Sequence, residues 1–280
     1  MSNPAWASNP PPGKPNLLDE IRNAIRVKHY SVRTEEAYVY WSKRFVLFHG
    51  KCHPKYMGKK EIGAFLTYLA VEGKVSASTQ NQALNAIVFL YKEVLKQEVG
   101  ALENVFWAKK PQRLPVVFTR EEAKAVLKNL DGSKWIMASL LYGSGLRLME
   151  CLRLRVKDID FAYSQIVVRD GKGNKDRVTM LPEALKAPLQ AHLLKVKALH
   201  DKDLKEGFGC VYMPYALEKK YSNAGKEWGW QYVFPSSRIS LDPRSGVMRR
   251  HHVFETVLQK AVKEAIRKAG IHKFAHCHTF

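Results

Sequence analysis

Apolar residues recur at helical spacing through most of the first hundred positions. Asn16 can cap a helix with Asp19 and Glu20 in its first turn and Leu17, Leu18, Ile21 and Ile25 on one face. A second helix is expected to open at Thr34, with Tyr38, Trp41, Phe45 and Phe48 inward and Gly50 as its stop. A third runs from about Lys59 to Gly73 with Ile62, Phe65, Leu66 and Leu69 inward. Ser78 caps a fourth, whose stripe is Leu84, Ile87, Leu90, Tyr91, Val94 and Leu95. Four amphipathic helices on short loops predict a small helical domain over residues 17–100, behind a proline-rich disordered tail at 1–16.

Residues 101–116 break the periodicity. They place Lys109, Lys110 and Arg113 around Pro111 and Pro115, which reads as a basic extended linker. Periodicity resumes with Thr119-Arg-Glu-Glu122, a capping box ahead of Val126, Leu127 and Leu130. In the stretch 140–155, Gly143 and Gly145 bracket Ser144 in a sharp turn that closes an apolar helix. A second helix is expected from about Leu146, with Arg147 and Glu150 a turn apart. An arginine behind such a turn can grip an anion, and a carboxylate at i+3 can orient it; an ordinary corner with a surface ion pair fits the same residues.

Two β-branched runs, Gln165–Arg169 and Arg177–Leu181, flank a glycine-rich turn with Lys172 at its tip, a β-hairpin. Pro182 then starts a helix to about His200. Residues 201–245 are irregular and aromatic, and Arg249-Arg250-His251-His252 is expected to open a last helix carrying Val253, Val257, Leu258, Val262 and Ile266 inward. The fold class is therefore mainly α with a small antiparallel sheet in the second domain (α+β).

Charge changes the picture. The 280 residues hold 46 Lys and Arg against 26 Asp and Glu, a net charge of +20. Such an excess suits a polyanionic partner, because each neutralised phosphate releases counterions. Arg22, Arg26, Lys28, Lys43 and Arg44 on the first domain's helices suit either phosphate contact or a solvated face. No apolar run nears the ~20 residues of a membrane span, so no membrane role is expected. The scattered Cys52, Cys151, Cys210 and Cys277 point to neither disulfides nor zinc, and the Ala275–Phe280 cluster lacks four-ligand spacing. A cytoplasmic protein without metal or cofactor is expected. Aromatics interleaved with basic residues after 201 suit stacking on unpaired bases or the core of a helical insertion.

Three motifs in order, GSGLRLMECLRLRVKDIDF, GKGNKDR and CHT, resemble those of the tyrosine recombinases, the phage-integrase family. The stretches MPYALEKKYSNAGKEWGWQYVFPS and SLDPRSGVMRRHH resemble the extra segment of the integron integrases, here about 201–252. The resemblance implies a helical core-binding (SAM-like) domain at 17–100 and a catalytic domain at 117–280. It implies DNA strand transfer through a 3′-phosphotyrosine without a metal, on integron cassette sites presented as folded single-stranded hairpins and as duplex. By motif, Arg147 is the first catalytic arginine with Glu150 as its supporting acid. Lys172 matches the lysine that protonates the 5′-oxygen leaving group, and His278 matches the histidine of the His-x-x-Arg motif. Trp230, His251 and His252, with Pro243, sit where integron integrases grip flipped-out bases; Lys109, Lys110 and Arg113 would track a phosphate backbone.

Only two residues follow His278 in this sequence. The second arginine, the downstream His/Trp and the tyrosine nucleophile of the pattern do not match any position, so a catalytic domain incomplete at its C-terminus is expected. These residues alone would then be inactive, with bare apolar surface near Val262 and Ile266. The family's tetrameric synapse rests on exchange of a C-terminal helix, so it is not expected of them either. A non-catalytic DNA-binding competitor and a decayed gene product are the alternatives.

Overall fold

A computed structural model describes residues 16–100, 102, 105–109, 114–171, 175–214, 217–243 and 245–280. Residues 1–15 of the tail expected at 1–16 lie outside them, as do Lys110, Arg113 and Lys172, whereas Asn16 is described and belongs to the first helix as its cap. The chain divides into two compact units, Met1–Arg113 and Leu114–Phe280.

The first unit is built from α1 (Leu17–Val27), α2 (Val32–Phe48), α3 (Lys59–Val71) and α4 (Ala77–Phe89), the last running on into a wide turn of π-helix at Leu90–Leu95. Asn16 caps α1 by accepting the Asp19 N–H. Two caps differ from the sequence expectation. Ser31 Oγ accepts the Thr34 N–H, so α2 opens at Val32 and not at Thr34. Ser76 Oγ accepts the Thr79 N–H, so Ser76 and not Ser78 caps α4. In both, a serine three residues ahead of a threonine supplies the acceptor that the first free amides need. Ile21, Ile25, Phe45, Ile62, Leu66, Leu69, Ile87 and Leu90 are wholly buried between the helices, each contributing about 1.5–3 kcal/mol. The aromatic stripe of α2 is thus largely core, with Phe45 central.

Several helix cations are spent inside this unit. Arg26 forks onto Glu35 at 3.1 and 2.7 Å and ties α1 to α2; Lys28 pairs with Glu93. Arg44 lies over the rings of Tyr40 and Trp41. Part of the expected linker also belongs here. Buried Gln80 donates to the carbonyls of Leu66 and Phe106 and accepts from Ala108 N–H, holding Phe106–Ala108 against the helices. Lys109 follows, exposed.

The second unit opens with α5 (Arg120–Lys128), behind the Thr119–Glu122 capping box, and α6 (Gly132–Ser144). Next come α7 (Leu148–Leu152), a three-stranded antiparallel sheet of β1 (Ile159–Asp160), β2 (Gln165–Val168) and β3 (Arg177–Met180) in that order, and α8 (Glu183–Lys205). Then follow α9 (Leu217–Lys220), a small hairpin of β4 (Ser240–Leu241) and β5 (Met248–Arg249), and α10 (Glu255–Lys268). One apolar core joins Val126, Met137, Leu140, Cys151, Leu152, Ile166, Leu189, Val233, Leu258 and Val262.

Two expectations are corrected. Arg249–His252 does not open a helix: the chain is extended there and α10 starts at Glu255. Its backbone is claimed by neighbours, since Ser236 N–H donates to His251 O and Val253 N–H to Phe234 O. Its arginines are claimed too, Arg249 by Val211 O and Glu218, Arg250 by Asp203 and Ser236 O. Nor is apolar surface bare at Val262 and Ile266. Both are buried, because the inward stripe of α10 packs against α5, α6 and α7.

Candidate active site and nucleic-acid interface

The Arg147 site grows out of a helix that must stop. α6 is apolar along most of its length and ends at Gly145, whose φ of +62° only glycine takes without strain. Leu146 tucks into the core, and Arg147 is the N-cap of α7, not its second residue as expected; α7 begins at Leu148. Glu150 at N3 reaches back to the Arg147 N–H at 2.8 Å and accepts from Arg147 Nη1 at 2.9 Å. The short helix therefore fixes the backbone and the side chain of the same arginine.

Glu150 has a second cation that sequence reasoning did not assign. Arg177, the first residue of β3, donates Nη1 to Oε1 at 2.9 Å and Nη2 to Oε2 at 2.7 Å. It also reaches Gly145 O at 3.3 Å, and two residues on Thr179 Oγ1 donates to Ser144 O at 2.7 Å. Strand alternation puts Arg177 and Thr179 on one face, against the turn, and exposes Val178 and Met180 on the other. The Arg177 guanidinium is the main reason that the Glu150 carboxyl is held down from 4.5 to about 2, against an opposing push from burial. The carboxylate is 8% exposed whereas the Arg147 side chain is 51% exposed, so the acid is fixed and the arginine is presented.

The base of the β2–β3 hairpin closes on the same carboxylate. A Cβ on Gly171 would stand 3.3 Å from Arg177 Nη1 and 3.4 Å from Glu150 Oε1, with Lys175 O at 2.9 Å. Only a residue without a side chain allows that approach, one position before Lys172. His278 is exposed at the other end of the unit's sequence. Its N–H donates to His276 Nδ1, and Thr279 beside it holds Phe118 N–H. Among the described residues no hydrogen bond or ion pair joins His278 to Arg147 or Glu150.

The expected base-gripping residues form two groups. Arg155, nearly buried, donates to the carbonyls of Trp230 and Tyr212 and lies between the rings of Trp230 and Tyr232, 5.5 and 4.6 Å from their centroids. Tyr232 meets His252 edge-on at 5.4 Å. Trp230 and His252 thus belong to one cluster, joined through Arg155 and Tyr232. Lys157 Nζ lies 3.9 Å from the Trp230 ring centroid, and burial lowers its pKa. His251, on the opposite side of the extended chain, faces Asp242 at 3.9 Å, and Pro243 next to that aspartate is exposed in the β4–β5 turn. Burial pulls the pKa of both histidines below the ordinary value. Neither group is joined by a hydrogen bond, ion pair or ring contact to the Arg147 cluster among the described residues. No group of three or more His, Cys, Asp or Glu positioned to hold a metal occurs among them, and no helix is long and apolar enough to cross a membrane.

A helical unit is thus followed by a mixed unit that presents a carboxylate-held, half-exposed arginine beside the base of a hairpin. Residues 17–101 match the N-terminal SAM-like domain of phage integrases, and residues 117–280 match the phage integrase family. The chain belongs to the phage integrase family, the tyrosine recombinases, whose members are site-specific recombinases that transfer DNA strands. It is 47% identical over 275 residues, 98% of this chain and 82% of the relative, to an integrase/recombinase of Escherichia coli and equally to one of Pseudomonas aeruginosa. The fold is that of a lambda integrase (75–356) dimer bound to a COC′ core site, with TM-score 0.55 and 14% identity over 94% of this chain and 82% of that one. It is also that of XerH recombinase bound to palindromic difH substrate, with TM-score 0.57 and 17% identity over 91% and 69%.

Proposed function

We propose that this chain is an integron-type integrase that binds DNA at cassette recombination sites, both as folded hairpins with extrahelical bases and as duplex. The observation that carries the reading is the Arg147 site: a guanidinium fixed by Glu150 at one nitrogen and otherwise turned to solvent. Such a group can take a non-bridging phosphate oxygen in a charge-assisted bond. With Lys172 on the hairpin that closes on Glu150, it would balance charge on the phosphoryl oxygens and protonate the leaving 5′-oxygen, with His278 as a further donor. The reaction class needs no metal. A net charge of +20 supports a nucleic-acid partner, with Lys109, Lys110 and Arg113 along the backbone.

Trp230 and His252, clustered with Arg155 and Tyr232, would receive a displaced base, and His251 and Pro243 would flank it. Stacking of that kind is worth about 1–3 kcal/mol, enough to prefer a bulged hairpin to a plain duplex. The test is a gel shift of a cassette-type hairpin with extrahelical bases beside the same sequence as perfect duplex, with Trp230→Ala in parallel. Preference for the hairpin that falls in Trp230→Ala supports the reading. Equal affinity for both forms removes the integron assignment.

A further inference from the structure

Arg177 holds the same carboxylate as Arg147, and the division of that carboxylate between them is unequal. Both Glu150 oxygens receive a nitrogen of Arg177, at 2.9 and 2.7 Å, whereas the Arg147 side chain gives one bond, from Nη1. Among the described residues Nε and Nη2 of Arg147 make no hydrogen bond. Glu150 is largely enclosed, so its charge depends on protein donors: the Arg147 backbone N–H and the two guanidinium groups. Without Arg177, the nearest partner able to fork onto it is Arg147, three residues away in the same turn.

We propose that Arg177 is a positioning residue: by occupying Glu150 in a two-bond fork, it stops the carboxylate from closing fully on Arg147. The Arg147 guanidinium then keeps one edge open for a phosphoryl oxygen. This rests on the reading of Arg147 as the phosphate clamp. The geometry is anchored from behind. Arg177 Nη2 also bonds Gly145 O, and Thr179 of the same strand bonds Ser144 O, so β3 is stitched to the turn that sets Arg147. A Cβ at Gly171 in the hairpin base would crowd both partners of the fork. One guanidinium therefore fixes two neighbours of the phosphate at once, the arginine of the turn and the strand that leads from Lys172.

The consequence can be read in salt dependence, because each phosphate neutralised contributes about 0.9 to the slope of log affinity against log salt. Wild type, Arg147→Ala, Arg177→Met and the double variant would be titrated by fluorescence anisotropy onto one hairpin with extrahelical bases, with thermal melts to confirm folding. The expected result is that Arg147→Ala lowers the slope by about 0.9, Arg177→Met lowers it as much, and the double variant lowers it no further. Arg177→Lys keeps the charge but not the fork and lowers the slope too; since it spares the ion pair, it decides the matter should the methionine variant not fold. A double variant that loses about twice the slope makes Arg177 an independent phosphate ligand and overturns the proposal. A full slope in Arg177→Lys, or in Arg177→Met while Arg147→Ala loses its share, also overturns it. If Arg147→Ala changes nothing, the clamp reading itself fails and the proposal falls with it.

Discussion

Replacing Glu150 by glutamine removes the charge at the centre of the site while keeping its shape. In the folded chain the carboxyl is held at about 2 instead of 4.5, mainly by the Arg177 fork. At 1.36 kcal/mol per tenfold change in acidity, that difference corresponds to about 3 kcal/mol. Arg147 is half exposed, so solvent screens its part of the attraction, and about 2–3 kcal/mol is the measurable share. The sign follows from which state is the stronger acid. The folded carboxyl is, so the unfolded chain takes up the proton first on acidification. The stabilisation is complete above 4.5 and is lost as pH falls towards 2. Glu150→Gln lacks this contribution at every pH. Urea unfolding followed by tryptophan fluorescence should show the variant about 2–3 kcal/mol less stable at pH 7, with the gap cut by roughly half at pH 3. The first unit unfolds alike in both proteins and cancels from the difference. A gap of constant size from pH 7 to pH 3 refutes the electrostatic account of Glu150, and no gap at pH 7 refutes its role in stability.

Two further outcomes follow from buried polar groups. Gln80→Ala leaves the carbonyls of Leu66 and Phe106 and the Ala108 N–H without their partner; it should cost about 2–3 kcal/mol, and limited proteolysis should speed up at Phe106–Lys109, an unchanged cleavage pattern counting against the anchor. Burial holds the imidazoles of His192, His200, His251 and His252 below 6.5, so the unfolded chain binds their protons first. Stability is then full above about 6.5 and declines on acidification below it; thermal melts between pH 7 and pH 5.5 should show a falling Tm, and a flat or rising Tm contradicts the burial of these rings.

Much of the helical framework could be read from the chain because helical spacing reports burial directly. Ile21, Ile25, Phe45, Ile62, Phe65, Leu66 and Leu69 were legible as core, and all are buried. Helix ends were less legible where two candidate caps stood close together, as with Ser76 and Ser78: which one accepts is decided by local backbone angles that composition does not carry. Arg249–His252 misled for another reason. Its residues tolerate a helix, but Arg249 and Arg250 find their partners on Val211, Glu218, Asp203 and Ser236, all distant in sequence. The Arg147–Glu150 pair was visible as an i, i+3 spacing. Arg177 was not, since its carboxylate lies 27 residues away. The signal that could have found it is a cation on the same strand face as Thr179, directly after a glycine-rich hairpin. Arg155 was hidden in the same way, because its place between the Trp230 and Tyr232 rings is made by tertiary contacts.

The central claim is that Arg147 holds a DNA phosphate, and phosphate-by-phosphate neutralisation tests it most directly. Hairpin DNAs carrying a single methylphosphonate at successive positions would be titrated with wild type and with Arg147→Ala. The expected result is one position at which neutralisation weakens wild-type binding severalfold and leaves the variant unaffected, since the lost charge no longer has a partner. Parallel losses in both proteins at every position would contradict it.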